Sequence, residues 1–512
     1  MEFVLALLPI MWLVIALAAL GIPGHIACGT ALVASCVLAL AFWQLSAVCV
    51  ATAALEGILN ALWPICAVVV AALFLYNLCV KTGGMETVKR MLLGVSQDER
   101  VLALLIAWGF GNFMEGIAGF GTAVAVPAAM LVGIGFEPFT AVVGCLVVNA
   151  TPTAFGSVGV PTATLATITG PDSVALSGDI ALMEFAITFA APYLLVAICG
   201  GGLRSLRGAL GVTTLAAASF TVPWLLMALF AGPELPNIVG AVVSMVCIVL
   251  YARHASKSGA GAGQEAESAP DQAPAPGQAL SLHEALRAWS PFILVFVLLM
   301  GTSKLCPPVH NVLALVESSV VVYAGESPNT LTMSWLSAPG LMILFAALLG
   351  GAIQGARPAE MFSVFCQTIR SYWRTLVTIC SVLAMAKVMS YSGMIDDIAV
   401  VLVSSAGGLY PLVAPAVGAL GGFVTGSGTS SNVLFGGLQA GTAQSLGLDA
   451  TWIAAANAAG AGIGKMISPQ SIAIGASAAG IAGSAPKILR AALKYFAVFI
   501  VLTCILCFAA AR

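Results

Sequence analysis

Charge is what this sequence has least of. Asp, Glu, Lys and Arg make up 8% of its 512 residues, against about 25% in a water-soluble domain. With 60% hydrophobic residues and a mean hydropathy of +1.05, a soluble globular chain is excluded. The net charge of −2 offers no basic surface, so nucleic acid is not an expected partner. Histidine is scarce: His25, His254, His283 and His310 all fall in loops or at span ends. There is no HExxH, no Ser/His arrangement and no convincing intramembrane pair of Asp, since Asp396 and Asp397 are adjacent and near an interface. An intramembrane enzyme is therefore the remotest reading. The 13 Cys are scattered through apolar runs, as at Cys66, Cys145 and Cys380. They read as small core residues rather than disulfides or metal ligands. Cys504 and Cys507 share a helix face but lack a companion His or Cys pair. No metal and no cofactor is expected. Lys and Arg are absent before Lys81, so the first apolar stretch lacks a basic n-region and residues 3–20 read as a retained span.

What is present is a succession of continuous apolar runs, each near the 20 residues that cross a bilayer as a helix. Alternation of the kind a barrel needs is missing. The expected fold is an all-α polytopic membrane protein with about 12 transmembrane helices and two re-entrant hairpins. The Lys and Arg residues fall in clusters around Lys81–Arg100, Arg204–Arg207, Arg253–Arg287, Arg357–Arg374 and Lys487–Lys494. Placing all of them in the cytoplasm gives one consistent path. It puts both termini on the outer side, with the lipid bilayer as partner. Residues 48–62 read as an interfacial helix carrying Glu56, and residues 357–370 as an amphipathic interfacial segment. Residues 254–287, rich in Gly, Ala, Pro and Gln, read as a disordered cytoplasmic linker. The loop with His310 and Glu317 is placed outside, and Lys387 near the outer interface, away from substrate.

The chain is organised around residues 111–161. Gly116, Gly119 and Gly121 crowd one short segment beside Glu115, and Asn149, Thr151, Pro152, Thr153 and Pro161 interrupt the next apolar run. Glycine and proline free backbone groups that lipid cannot satisfy. Such backbone is tolerated at membrane depth only where protein or a water-filled cavity covers it. The stretch reads as a hairpin (about 101–134) followed by a broken helix (about 138–168). A second hairpin (about 409–447) and a second broken helix (about 449–480) follow the same plan. Trp63 opens a segment that matches one opening at Trp373, and GNFMEG at Gly111 matches GGFVTG at Gly421, both separated by 310 residues. FGSVGVP, ending at Pro161, pairs with IGKMISP, ending at Pro469. The charge clusters give the halves opposite starting sides, so this is an inverted-topology repeat. Residues 1–207 form the first repeat, 208–253 connect, and 288–512 form the second. A substrate site is expected between the two hairpin tips and the two helix breaks.

The residue types at those breaks suit an anion. The tip of hairpin two reads GSGTSSN, so Ser427, Thr429, Ser430, Ser431 and Asn432 offer hydroxyls and an amide beside freed N–H groups. The same small residues also serve close helix approach, which is the structural alternative. From the first half, Gly116, Gly119, Gly121, Thr122, Asn149 and Thr151 are the corresponding candidates. In the second break Lys465, Ser468, Gln470 and Ser471 are polar groups inside an apolar span. An ionisable residue at that depth marks a site; Lys465 either meets a substrate carboxylate or pairs with Glu115. Glu115 is the deepest carboxyl, and burial favours its neutral form, which makes it the candidate proton carrier or a structural acceptor.

These motifs resemble the L-lactate permease family, which includes glycolate permeases. The matching stretches are VKTGG (from Val80), EGIAGFG (from Glu115), LVGIGFEP, VNATPTAFGSVGVP, GPELP (from Gly232), RAWSPF (from Arg287), GSGTSSN and GKMISPQSIAI. The resemblance implies proton-coupled uptake of L-lactate, with D-lactate and glycolate as related 2-hydroxy monocarboxylate substrates. A sodium-coupled carboxylate carrier is the alternative. Where family members carry an acid in hairpin two, this chain has Gly428. Proton coupling would then rest on Glu115 or another group.

Overall fold

The structure, a computed structural model, describes residues 2–16, 20, 22–119, 121–257, 281–303, 306–325, 330–395, 397, 398, 401 and 407–511. Most of the expected linker, Lys304 and Asp396 lie outside the described residues. The helices are α1 (Glu2–Val14), α2 (Gly24–Ala41), α3 (Ala47–Asn60), α4 (Ala67–Lys81), α5 (Gly84–Leu93), α6 (Glu99–Ile117), α7 (Thr122–Gly133), α8 (Pro138–Val148) and α9 (Gly156–Thr169). Then come α10 (Ser173–Cys199), α11 (Leu210–Phe230), α12 (Pro236–Lys257), α13 (Leu282–Thr302), α14 (Pro307–Ala314), α15 (Pro339–Ile353) and α16 (Pro358–Ser392). The last five are α17 (Tyr410–Thr425), α18 (Gly428–Ser445), α19 (Ala450–Lys465), α20 (Pro469–Ala478) and α21 (Ala485–Ala510). Several helices start where the sequence supplies a side-chain acceptor. Ser46, Glu137, Asp172, Ser427, Asp449 and Ser468 each cap the first turn of the helix that follows.

Ten described helices are long and apolar enough to cross a membrane, eleven with the bent pair Pro138–Val148 and Pro152–Thr169. This is a multi-span helical membrane protein. The expected figure of about twelve differs in what it counts. Two of the ten, Glu99–Ile117 and Gly407–Thr425, contain hairpin arms, whereas α1, α15 and the halves of the second broken helix are shorter pieces. Three local expectations change. α3 runs into α4 through a π-helical kink at Trp63 (φ −132°, ψ 125°) and buries Glu56 against α16. A Cβ at Gly57 would stand 2.4 Å from the Ala384 Cα, so backbone-to-backbone packing on α16 draws α3 into the bundle. The amphipathic residues 358–370 are continuous with the following span in the 35-residue α16. The loop after α14 contains an antiparallel ribbon, β1 (Glu317–Val321) with β2 (Thr330–Ser334), pairing Glu317 with Ser334 and Val321 with Thr330.

The element series of the first half recurs in the second. Hairpin one is α6 and α7, followed by α8 and α9; hairpin two is α17 and α18, followed by α19 and α20. α17 and α19 form the most intimate pair, because Gly418, Gly422, Gly460 and Gly464 line their contact. A Cβ at Gly460 would lie 1.9 Å from the Pro415 carbonyl oxygen, so only glycine permits this approach.

The candidate transport site

The first helix break is a sequence of satisfied carbonyls. α8 stops at Val148, a 3-10 turn spans Pro152–Phe155, and the axis turns by 67°. Ser157 (φ 46°) and Val158 (φ 57°) adopt the left-handed region with Gly159 (φ 74°). For a β-branched residue this is strained backbone of the kind functional sites store. Thr153 Oγ1 donates to the Asn149 carbonyl (2.7 Å), Thr162 Oγ1 to that of Ala154 (2.8 Å) and Asn237 Nδ2 to that of Pro152 (2.7 Å). Ser157 Oγ reaches across to the Ala118 carbonyl at the tip of hairpin one (3.1 Å). Broken backbone is thus covered by protein, as the bilayer interior demands.

Glu115 is the centre of the site. It is buried, and a Cβ at Gly156 would stand 2.6 Å from its Oε1, so Gly156 makes room for it. Lys465 Nζ donates to Glu115 Oε1 at 2.8 Å and approaches Thr153 Oγ1 at 3.3 Å, while Asn149 Nδ2 donates to Glu115 Oε2 at 3.0 Å. Hairpin one, break one and break two therefore meet in one buried ion pair. The pair faces a cavity of about 650 Å³. Hairpin two contributes Ser427, Thr429 and Ser430, and the start of α20 contributes Gln470 and Ser471. The opposite wall comes from α2 and α16, including His25, Arg374 and Thr378. Two helix N-termini, those of α18 and α20, open onto this space with their partial positive charge, and Ser427 and Ser468 cap one first-turn N–H each.

Of the sequence candidates, Glu115, Gly121, Ser427, Thr429, Ser430, Lys465, Gln470 and Ser471 line the cavity. The others stand behind it. Gly116 packs on α12, where a Cβ would meet the Asn237 Cβ at 2.9 Å. Gly119 (φ 58°) lets hairpin one touch Ser157, and Thr122 Oγ1 donates to its carbonyl (2.7 Å). Ser431 Oγ donates to the Gly418 carbonyl (2.8 Å), and Asn432 Nδ2 ties hairpin two to the Pro161 carbonyl (3.0 Å). Ser468 Oγ caps α20 and donates to Ser471 Oγ (2.8 Å). Thr151 is buried, and its hydroxyl finds no partner among the described residues. Lys387 is apart from the cavity, paired with Glu56 at 2.7 Å. Sequence reasoning missed Thr153, Gly156, Ser157 and Arg374. Thr153 and Gly156 sit in the motif already singled out, but Arg374 reads in sequence only as a marker of orientation.

Two hairpin tips and two broken helices around one charged cavity define a membrane transport protein. The chain belongs to the L-lactate permease family, whose model matches residues 2–512. It is 40% identical to the L-lactate permease of Streptococcus iniae over 89% of this chain and 93% of that one. It is 34% identical to the glycolate permease GlcA of Escherichia coli K12, over 96% and 93%. The solved Alcanivorax borkumensis YdaH transporter superposes with a TM-score of 0.47 at 16% identity, over 87% of this chain and 85% of that one. Permeases are transporters, and this chain is not an enzyme.

Proposed function

We propose that this protein carries L-lactate and related short 2-hydroxy monocarboxylates, glycolate among them, together with a proton across the bacterial inner membrane. The single observation that carries the reading is the Glu115–Lys465 pair at the wall of the shared cavity. A substrate carboxylate competes with Glu115 for Lys465. Once it takes the ammonium, Glu115 is left as a buried charge without its counter-charge. Glu115 then accepts a proton, and anion and proton each strengthen the binding of the other. Asn149 keeps the freed carboxyl in place. The N-termini of α18 and α20 add N–H donors for the carboxylate, and Ser430 and Gln470 are within the same wall for the 2-hydroxyl. In this reading residues 1–207 and 288–512 are inverted repeats that alternate access to the site, with both termini periplasmic. The test is uptake of labelled L-lactate and glycolate into proteoliposomes with pH and sodium gradients imposed separately. Accumulation should follow the pH gradient and ignore sodium. In Lys465→Ala uptake should vanish while the protein still inserts; near-native lactate affinity in that variant would sink the reading.

A further inference from the structure

Four residues of the cavity wall can carry charge: His25, Glu115, Arg374 and Lys465. Glu115 and Lys465 neutralise each other at 2.8 Å. Gly428 leaves the tip of hairpin two without an acid. Arg374 makes no ion pair with any described residue within 4.0 Å. Among the described residues, the positive charge of the wall that has no opposite partner therefore belongs to Arg374.

We propose that Arg374 is a second carboxylate-binding residue, which holds the substrate anion on the cytoplasmic side of the cavity, beyond Lys465 on the way out of the site. This deepens the transport reading above and rests on it. Lys465 is buried, and Glu115 takes it back once the anion lets go, so an anion leaving Lys465 meets the exposed Arg374. The Arg374 Cζ lies 5.7 Å from the Trp373 ring centre, and that ring takes His25 edge-on with centroids 5.3 Å apart. A planar fork of donors in that position suits a carboxylate bidentately, which an ammonium does not. A net charge of one also selects: a monocarboxylate neutralises the wall, a dicarboxylate overcharges it, and a cation is repelled. The bland alternative is an arginine that only anchors α16 at the membrane interface, midway along the helix where its amphipathic part ends.

The two roles separate on KM. Wild type, Arg374→Gln, Arg374→Lys and Lys465→Ala are compared in L-lactate exchange by proteoliposomes. Arg374→Gln should raise KM about tenfold, the worth of one charge-assisted hydrogen bond, with Vmax within about twofold. Arg374→Lys should recover part of the loss, and added salt should raise KM in wild type more than in Arg374→Gln. An unchanged KM, or a fall in Vmax alone without rescue by Lys, overturns the proposal. In detergent, L-lactate but not neutral lactamide should raise the melting temperature of wild type, and Arg374→Gln should lose that shift. If none of acetate, glycolate or L-lactate stabilises wild type, the Arg374 site is refuted outright. Normal exchange by Lys465→Ala defeats the Glu115–Lys465 reading alone and leaves the Arg374 comparison decisive.

Discussion

Replacing Glu115 by Gln removes one charge from the cavity wall and almost no volume. In the wild type the Lys465 ammonium is buried, and its only carboxylate partner among the described residues is Glu115, at 2.8 Å. Removing one member of a buried pair costs about 3–5 kcal/mol, because the other charge is left uncompensated. A bound lactate carboxylate would restore the missing negative charge. At the lower end of that range, about 3 kcal/mol, binding would tighten roughly a hundredfold. Even that figure overstates the gain, since the Gln oxygen still accepts from Lys465 and the cavity admits water beside it; a gain of about tenfold is expected. Coupling should change in the opposite sense. Gln mimics the protonated acid and cannot release the proton, so the variant should exchange lactate yet fail to accumulate it against an imposed pH gradient. The assay measures counterflow and pH-driven accumulation in the same proteoliposomes, with lactate affinity from stabilisation of the purified protein. Full proton-driven accumulation by Glu115→Gln would refute the assignment and make Glu115 a structural acceptor. Loss of both exchange and lactate binding would also refute it, because a neutral mimic of a proton carrier must still bind substrate.

The remaining expectations are briefer. A Cβ at position 428 would lie 3.0 Å from the Thr153 Cγ2, and Thr153 is a neighbour of Lys465. Gly428→Asp combined with Glu115→Gln should therefore regain part of the pH-driven accumulation, whereas no regain would mean that position 428 cannot exchange a proton with this site. Gly460→Ala places a methyl 1.9 Å from the Pro415 carbonyl oxygen; at least about 3 kcal/mol of stability should be lost, read as a fall in melting temperature. Single cysteines at Glu137, after hairpin one, and at the exposed Ser445, at the end of hairpin two, should be labelled from opposite sides by an impermeant thiol reagent in a background without reactive Cys. Labelling from one side would overturn the inverted repeat.

The helix breaks were legible because their chemistry is local. Pro152, Gly156, Gly159, Ser468 and Pro469 announce where hydrogen bonding must stop, and the structure stops it there. The hairpins followed from the same signals, since Gly121 and Gly426 take left-handed φ at the two tips. What the local code does not carry is direction. Each break re-aims the chain, by 67° in the first, and that angle decides whether a hydroxyl looks into the cavity or into a carbonyl. Ser430 and Ser431 are neighbours of identical chemistry, yet Ser430 lines the cavity while Ser431 donates to Gly418. Asn149 and Asn432 likewise position the Glu115 carboxyl and the Pro161 carbonyl. Nor could the left-handed Ser157 and Val158 be anticipated, because neither residue type favours that conformation. Arg374 escaped for a different reason. Its partner wall comes from α2 and α16, elements without a break, so nothing in their sequence marks them as site-forming. The breaks supply polar groups of the cavity, and unbroken helices supply the rest of its wall. A reading that searches only for broken backbone therefore finds one part of the cavity lining and leaves out the part that α2 and α16 contribute.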